Sequence, residues 1–242
     1  MSGDSGWYVY AVIAGDDVPA VAAPSGIDGV PAQLLVSADL AAVAAPVDLA
    51  AFRGAQAEAD MSADGWLARA VRGHHQVVEE VFAQASVLPL RFGALCATRA
   101  DVLLVLESLR PRLRAGLTRV AGAGEWTVRL VGAEPRGDPA AADPSAPSGT
   151  AWMLRRRASV RAREVARERW AKAATAVYGT LARHARETCV AEAGVRYLVA
   201  RADETSFRES ARELRESELD SELWLDVDGP RPAFHFTEER TR

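Results

Sequence analysis

The residues best suited by type to do chemistry are two adjacent histidines, His74-His75, because imidazole ordinarily titrates near neutrality. They fall within a helical pattern, and neighbours on a helix point about 100° apart. His74 lies on the apolar stripe and His75 off it, so the pair is poorly placed to hold one metal ion; the spacing fits a core histidine beside a surface one. Glu79-Glu80 follows without the HExxH spacing of a metalloprotease. Cys96 and Cys189 stand far apart, with no CxxC or Cys/His cluster, and read as reduced thiols of an intracellular protein. The chain contains no GxSxG elbow, no GxxxxGK[ST] loop and no GxGxxG turn; Gly122-Ala123-Gly124 is only a short turn. The expectation is therefore no enzyme, with no catalytic, cofactor-binding or metal-ligating residue and no cofactor.

Charge is the second resource. Arg155, Arg156 and Arg157 open a run continued by Arg161, Arg163, Arg167, Arg169 and Lys172, which is the only lysine of the chain. Against Glu164 and Glu168 these eight carry a net +6. An anionic partner would use such a run; so would a solvated helix face with Glu168 and Lys172 at i,i+4. From Asp203 to Asp228 ten acidic residues face three arginines, so the two runs can complement each other within the chain or between copies. The whole chain carries −4, which argues against bulk nucleic-acid binding. No apolar run approaches the ~20 residues that span a bilayer, and the first residues lack the pattern of a signal peptide. The expected partners exclude nucleic acid and membrane, and self-association is possible.

The elements that must position these groups follow from hydrophobic periodicity. The 242 residues, 49% hydrophobic and 26% charged, suffice for one large or two smaller domains. Trp7–Ala14 is apolar on both faces and predicts a central strand. Val30–Val36 and Ala41–Val47 predict a hairpin. A helix over 63–85 carries Leu67, Val71, His74, Val78, Val81 and Ala85 on one stripe. Val87-Leu88-Pro89-Leu90-Arg91-Phe92-Gly93 predicts a short buried strand in which proline is confined to an edge, a start or a bulge. Arg91, set between apolar neighbours, must leave the core or meet a buried acceptor. Thr98 and Asp101 form a capping-box start for a helix that Pro111 interrupts. Glu125–Val131 alternates as a strand. Residues 134–149, rich in proline, glycine and alanine, predict a loop or linker. A long helix over 150–190 presents Trp170, Ala174, Val177, Leu181 and Ala185. A strand at 195–200, a helix over 203–219 and a strand at 223–227 complete the order. In the tail, Pro230 and Pro232 restrict an extended segment that sets Phe234 and Phe236 on one face and His235 on the other. The class is α+β: two small α/β sandwiches over 1–123 and 124–228, each resembling the split βαβ arrangement, with an extended C-terminal tail over 229–242.

Several of these pieces together resemble the gas vesicle protein F/L family. They are Tyr8-Val9-Tyr10, Trp66-Leu67 with Val71-Arg72 and His74, the Leu88-Pro89-Leu90-Arg91-Phe92-Gly93 motif, and Glu125-Trp126. Ser148-Gly149 with Trp152-Met153-Leu154-Arg155-Arg156-Arg157, Tyr197-Leu198-Val199, and Gly229-Pro230 with Pro232, Phe234 and Phe236 follow in family order. Three positions depart: His75 stands where the family has an acidic residue, Arg231 where it has an aromatic, and Ala233 where tyrosine is common. The resemblance implies a modified ferredoxin-like first domain. It implies a non-enzymatic accessory or minor structural protein of gas vesicle assembly, cytoplasmic and vesicle-associated. The partners it implies are the small hydrophobic shell protein and other accessory proteins. Arg155, Arg156 and Arg157 are the candidate partner-binding residues. The alternative reading is a ferredoxin-like regulatory module for a small ligand.

Overall fold

The computed structural model of the chain describes residues 5–52, 65–132, 149–191, 194–217, 219 and 223–237. Most of the expected linker, 134–148, lies outside the described residues, as do the first two residues of the expected helix over 63–85. The chain divides into two compact units, Met1–Glu125 with Pro230–Arg242, and Trp126–Gly229.

In the first unit, β1 (Ser5–Ala14), β2 (Gln33–Ser37), β3 (Leu40–Asp48) and β4 (Val87–Pro89) form a sheet in the order β2-β3-β1-β4, and β5 (Leu95–Cys96) also pairs with β1. Every one of these pairings is antiparallel. The split βαβ arrangement needs a parallel pair joined by a crossover. Here β1 reaches the β2–β3 hairpin through short 3-10 turns instead, so its pairing with β3 is antiparallel. Residues Tyr8 to Ile13 are all buried, as a strand covered on both faces requires. The register shifts between Val9 and Ala11, and this irregularity puts Tyr8, Tyr10, Ala11 and Ile13 into one core with α1 (Trp66–Phe82). Helices α2 (Arg99–Ser108) and α3 (Arg110–Val120) also pack on the sheet. Thr98 and Asp101 form the capping box at the start of α2, and Pro111 sits in the first turn of α3, where its missing N–H costs nothing. Gly116 of α3 lets Leu88 of β4 lie close: a Cβ there would stand 2.9 Å from both Leu88 methyls.

The second unit has the sheet order β7-β8-β6-β9. Its strands are β6 (Ala123–Gly132), β7 (Glu187–Ala191), β8 (Gly194–Ala200) and β9 (Leu223–Arg231), with helices α4 (Gly149–Ala182) and α5 (Glu204–Ser217). Trp126, Val128 and Leu130 alternate from β6, and Val195, Tyr197 and Val199 from β8, into one core. Ala174, Val177 and Leu181 of α4 and Phe207, Ala211 and Leu214 of α5 close it at helical spacing. Tyr178 links the layers: its hydroxyl accepts from Leu130 N–H at 3.1 Å and its carbonyl accepts from Tyr197 Oη at 3.2 Å.

Two expectations are corrected here. The long helix stops at Ala182, not near Val190, and Glu187–Ala191 is a strand. Arg186 N–H donates to Leu198 C=O, and the β-branched Thr188 and Val190 pair across from β8, so the ladder takes the backbone groups a helix would have used. The last strand runs to Arg231 rather than Val227. It is an edge strand, where Pro230 is tolerated.

Gly194 opens β8 at φ 133°, and a Cβ on it would run into the Val128 carbonyl of β6. Gly194→Ala is expected to destabilise the protein by about 1–3 kcal/mol, read as a lower urea midpoint; an unchanged midpoint would show that the β8 start relaxes freely.

Candidate functional site

The conspicuous motif, residues 87–93, is part strand and part turn. Val87, Leu88 and Pro89 are buried in β4, the chain turns at Phe92 and Gly93, and Arg91 is exposed. Gly93 adopts φ 93°, which favours glycine, and its N–H donates to the Tyr8 hydroxyl at 3.0 Å. That hydroxyl also lies 3.0 Å from His74 Nδ1. The proton in that contact belongs to the Tyr8 hydroxyl or to Nδ1 according to the imidazole tautomer. Nε2 is buried without a well-aligned partner among the described residues. Burial pushes the His74 pKa down to about 4, the charge of His75 adds to that, and the backbone of Leu90 opposes both weakly. Burial likewise raises the Tyr8 pKa above its ordinary value.

Rings close around this pair. Phe52 stacks on Tyr8 at 5.4 Å, Phe92 lies 5.8 Å from Tyr8 and 5.9 Å from His74, and Phe234 lies 4.8 Å from His75. Phe234 comes from the tail, which does not run extended as the spacing implied. It turns, with Phe234 N–H donating to Pro232 C=O and Phe236 N–H to Ala233 C=O. Pro232, Ala233 and Phe236 are buried, while Phe234 is half-buried against the His74 side. His235 is not simply turned to solvent. Its backbone N–H donates to Glu125 Oε2 at 3.0 Å and its Nδ1 lies 2.7 Å from Glu125 Oε1. Gly124 leaves room for Pro230, and Gly229 has φ 142°. Arg231, a departure from the family pattern, pairs with Glu79 of α1 at 2.9 Å.

The structure thus joins Gly93, Phe92, Phe234 and His74 in one cluster of the first unit, whereas Arg155, Arg156 and Arg157 belong to the second unit. These three are exposed on α4, beginning six residues after Gly149. They lie past the first turn, so the helix dipole opposes their charge only weakly. The Arg156 guanidinium lies 5.1 Å above the Trp152 ring. Tyr8 and Glu125, which the sequence names only as pieces of the family resemblance, gain a role in the structure that sequence reasoning did not give them. Tyr8 lies 66 residues from His74, beyond any local pattern, and a single acidic residue at a strand start carries no sign of being buried. Among the described residues no group of three or more His, Cys, Asp and Glu could hold a metal ion. Nor is any helix among them long and apolar enough to cross a membrane.

Comparison with known proteins follows this geometry. The family model described as gas vesicle synthesis protein GvpL/GvpF matches residues 6–238. Gas vesicle protein L of Streptomyces sp. is 36% identical over 135 residues, which cover 56% of this chain and 50% of that protein. The chain thus spans about half the length of the curated relative it matches. The crystal structure of GvpF from Anabaena sp. superposes with a TM-score of 0.68 at 15% identity, covering 98% of each chain. That of GvpF from Microcystis aeruginosa gives 0.64 at 16% identity, covering 97% of this chain and 99% of the other. At such identities the likeness is one of fold.

The buried imidazole makes acid stability readable. His74 is neutral in the native state and takes a proton below pH 6.5 when unfolded, so its contribution is present above 6.5 and is lost as pH falls towards about 4. The loss is expected to reach about 3 kcal/mol. Urea unfolding at pH 7 and pH 4 should show His74→Gln losing that much less than the parent chain. Equal losses in both would mean that His74 is not kept neutral.

Proposed function

Because the chain belongs to the GvpL/GvpF family of gas vesicle synthesis proteins, we propose that it is a non-enzymatic accessory or minor structural protein of gas vesicle assembly. It associates with the hydrophobic shell protein and with other accessory proteins, and it is cytoplasmic and vesicle-associated. The observation that carries this reading is the family match across residues 6–238, most of the chain.

The surface chemistry supports an interaction role. Near the start of α4, Trp152, Met153 and Leu154 are exposed immediately before exposed Arg155, Arg156 and Arg157. Apolar area beside guanidinium groups is the composition of protein contact sites, in which aromatic residues, methionine and arginine are enriched. An assembly factor of this kind shields apolar shell subunits until they pack. The three arginines are its proposed partner-binding residues, and an acidic surface is what they would meet.

The test is co-purification of the shell protein with the tagged full-length chain from vesicle-forming cells. Replacing Arg155, Arg156 and Arg157 together by glutamate is expected to lower the recovered shell or accessory protein at least tenfold while the melting temperature stays within a few degrees. Undiminished recovery overturns the assignment of these arginines. Failure of the parent chain to recover any vesicle protein overturns the functional reading itself.

A further inference from the structure

A groove of about 360 Å³ opens in the first unit beside the 87–93 motif. Leu90 and Phe92 line it from the motif, Leu109 and Leu113 from the end of α2 and from α3, and Arg91 and Arg112 supply its charged groups. None of the described residues that line it is acidic. Leu109, which lines it, is 41% exposed, and α2 leading up to it also exposes Leu104 and Val105, at 62% and 44%. Val105 and Leu109 are successive turns of one face, since Leu109 N–H donates to Val105 C=O at 3.0 Å. Large apolar side chains left open along one helix that ends at a groove mark an interaction surface more than a scattered apolar residue does.

Two observations define the occupant. The first is charge. Arg91 is exposed, and among the described residues no carboxylate is seen to pair with it, whereas Arg112 has contacts of its own. A guanidinium beside apolar walls selects a carboxylate, which it can hold through two parallel hydrogen bonds. The second is the sheet edge. Leu90 N–H donates to Tyr10 C=O of β1, so on the antiparallel ladder Pro89 faces away from β1. Proline offers no N–H at that outward position, and an added strand would lose a ladder bond there. Recognition through side chains is favoured over strand addition, which is the mode of a helix laid in a groove. The volume lies at the small end of ligand sites and suits a few anchoring side chains.

We infer that the groove between the 87–93 motif and the α2–α3 corner docks an amphipathic helix of the apolar shell subunit, with a carboxylate of that helix on Arg91. This inference rests on the functional reading above and assigns it a second surface, separate in sequence from the arginines of α4.

The experiment uses the full-length chain and the shell protein as probe, co-expressed and recovered by a tag. Arg91→Glu and Leu109→Asp are each expected to lower recovery at least tenfold. Arg91→Lys, which keeps the charge and loses the two-bond geometry, should fall between Arg91→Glu and the parent, and Val190→Asp, a substitution at an exposed valine of β7, should match the parent chain. Arg91→Gln, a neutral change at an exposed position, serves if either groove variant melts early, and at least a threefold loss is expected from it. Recovery by Arg91→Glu and Leu109→Asp equal to that of the parent overturns the groove and leaves the functional reading intact. If the parent recovers accessory proteins and no shell protein, the docking inference fails while an assembly role stands. If it recovers no vesicle protein, both fail. Light scattering of the parent and of Leu109→Asp closes the remaining route: a parent dimer that becomes a monomer would assign the groove to a second copy of the chain and overturn the inference.

Discussion

The hydrogen-bonded chain Gly93 N–H, Tyr8 O–H, His74 Nδ1 holds the first unit together at its centre. It fixes three elements that share no local sequence: the central strand, helix α1 and the turn that ends the 87–93 motif. A buried hydroxyl and a buried imidazole are each expensive unless paired, and here the Tyr8 hydroxyl and His74 Nδ1 satisfy each other, while Nε2 is left without a well-aligned partner among the described residues. The hydroxyl still accepts from a backbone amide that would otherwise lack a partner. Phe52, Phe92 and Phe234 pack around the pair. The exposed Arg91 and the groove beside it inherit their position from this tether, since the turn at Gly93 sets where the backbone leaves the sheet.

Much of the architecture could be read from side-chain order. Residues 8–13 are apolar without alternation, and they form the strand that is covered on both faces. Ala174, Val177 and Leu181 fall on one stripe and occupy one core. His74 was readable as a core position from its stripe. Its partner was not, because pairing across 66 residues is decided by sheet register, including the shift between Val9 and Ala11. Strand β7 was missed for a related reason. Glu187–Ala191 follows a helix of strong propensity, and only the neighbouring strand supplies the ladder that makes an extended segment preferable.

The tail shows the same limit. Its prolines and aromatic residues pointed to an ordered segment, and the rings are indeed packed, yet the extended geometry inferred from alternation gave way to a turn. Glu125 decides that geometry by accepting from both the backbone and the ring of His235. The candidate surfaces were legible in unequal measure. Arg155, Arg156 and Arg157 stand out as a triplet in the sequence. Arg91 stands out only as an interruption, and its role as the charged member of an apolar groove depends on Leu109 and Leu113, which reach it through the fold.

The first unit is assembled from the two ends of the sequence, with the second unit inserted between Glu125 and Pro230. On the ribosome this imposes a schedule. The strands and helices up to Val120 emerge first, and the residues that cover His75 and satisfy Glu125 emerge about a hundred residues later. Throughout that interval the nascent first unit carries an unfilled seat for Ala233 and Phe236. Completion of the first unit therefore reports that synthesis has passed Phe236, and a ribosome that stops before it leaves behind a product marked by an open apolar seam.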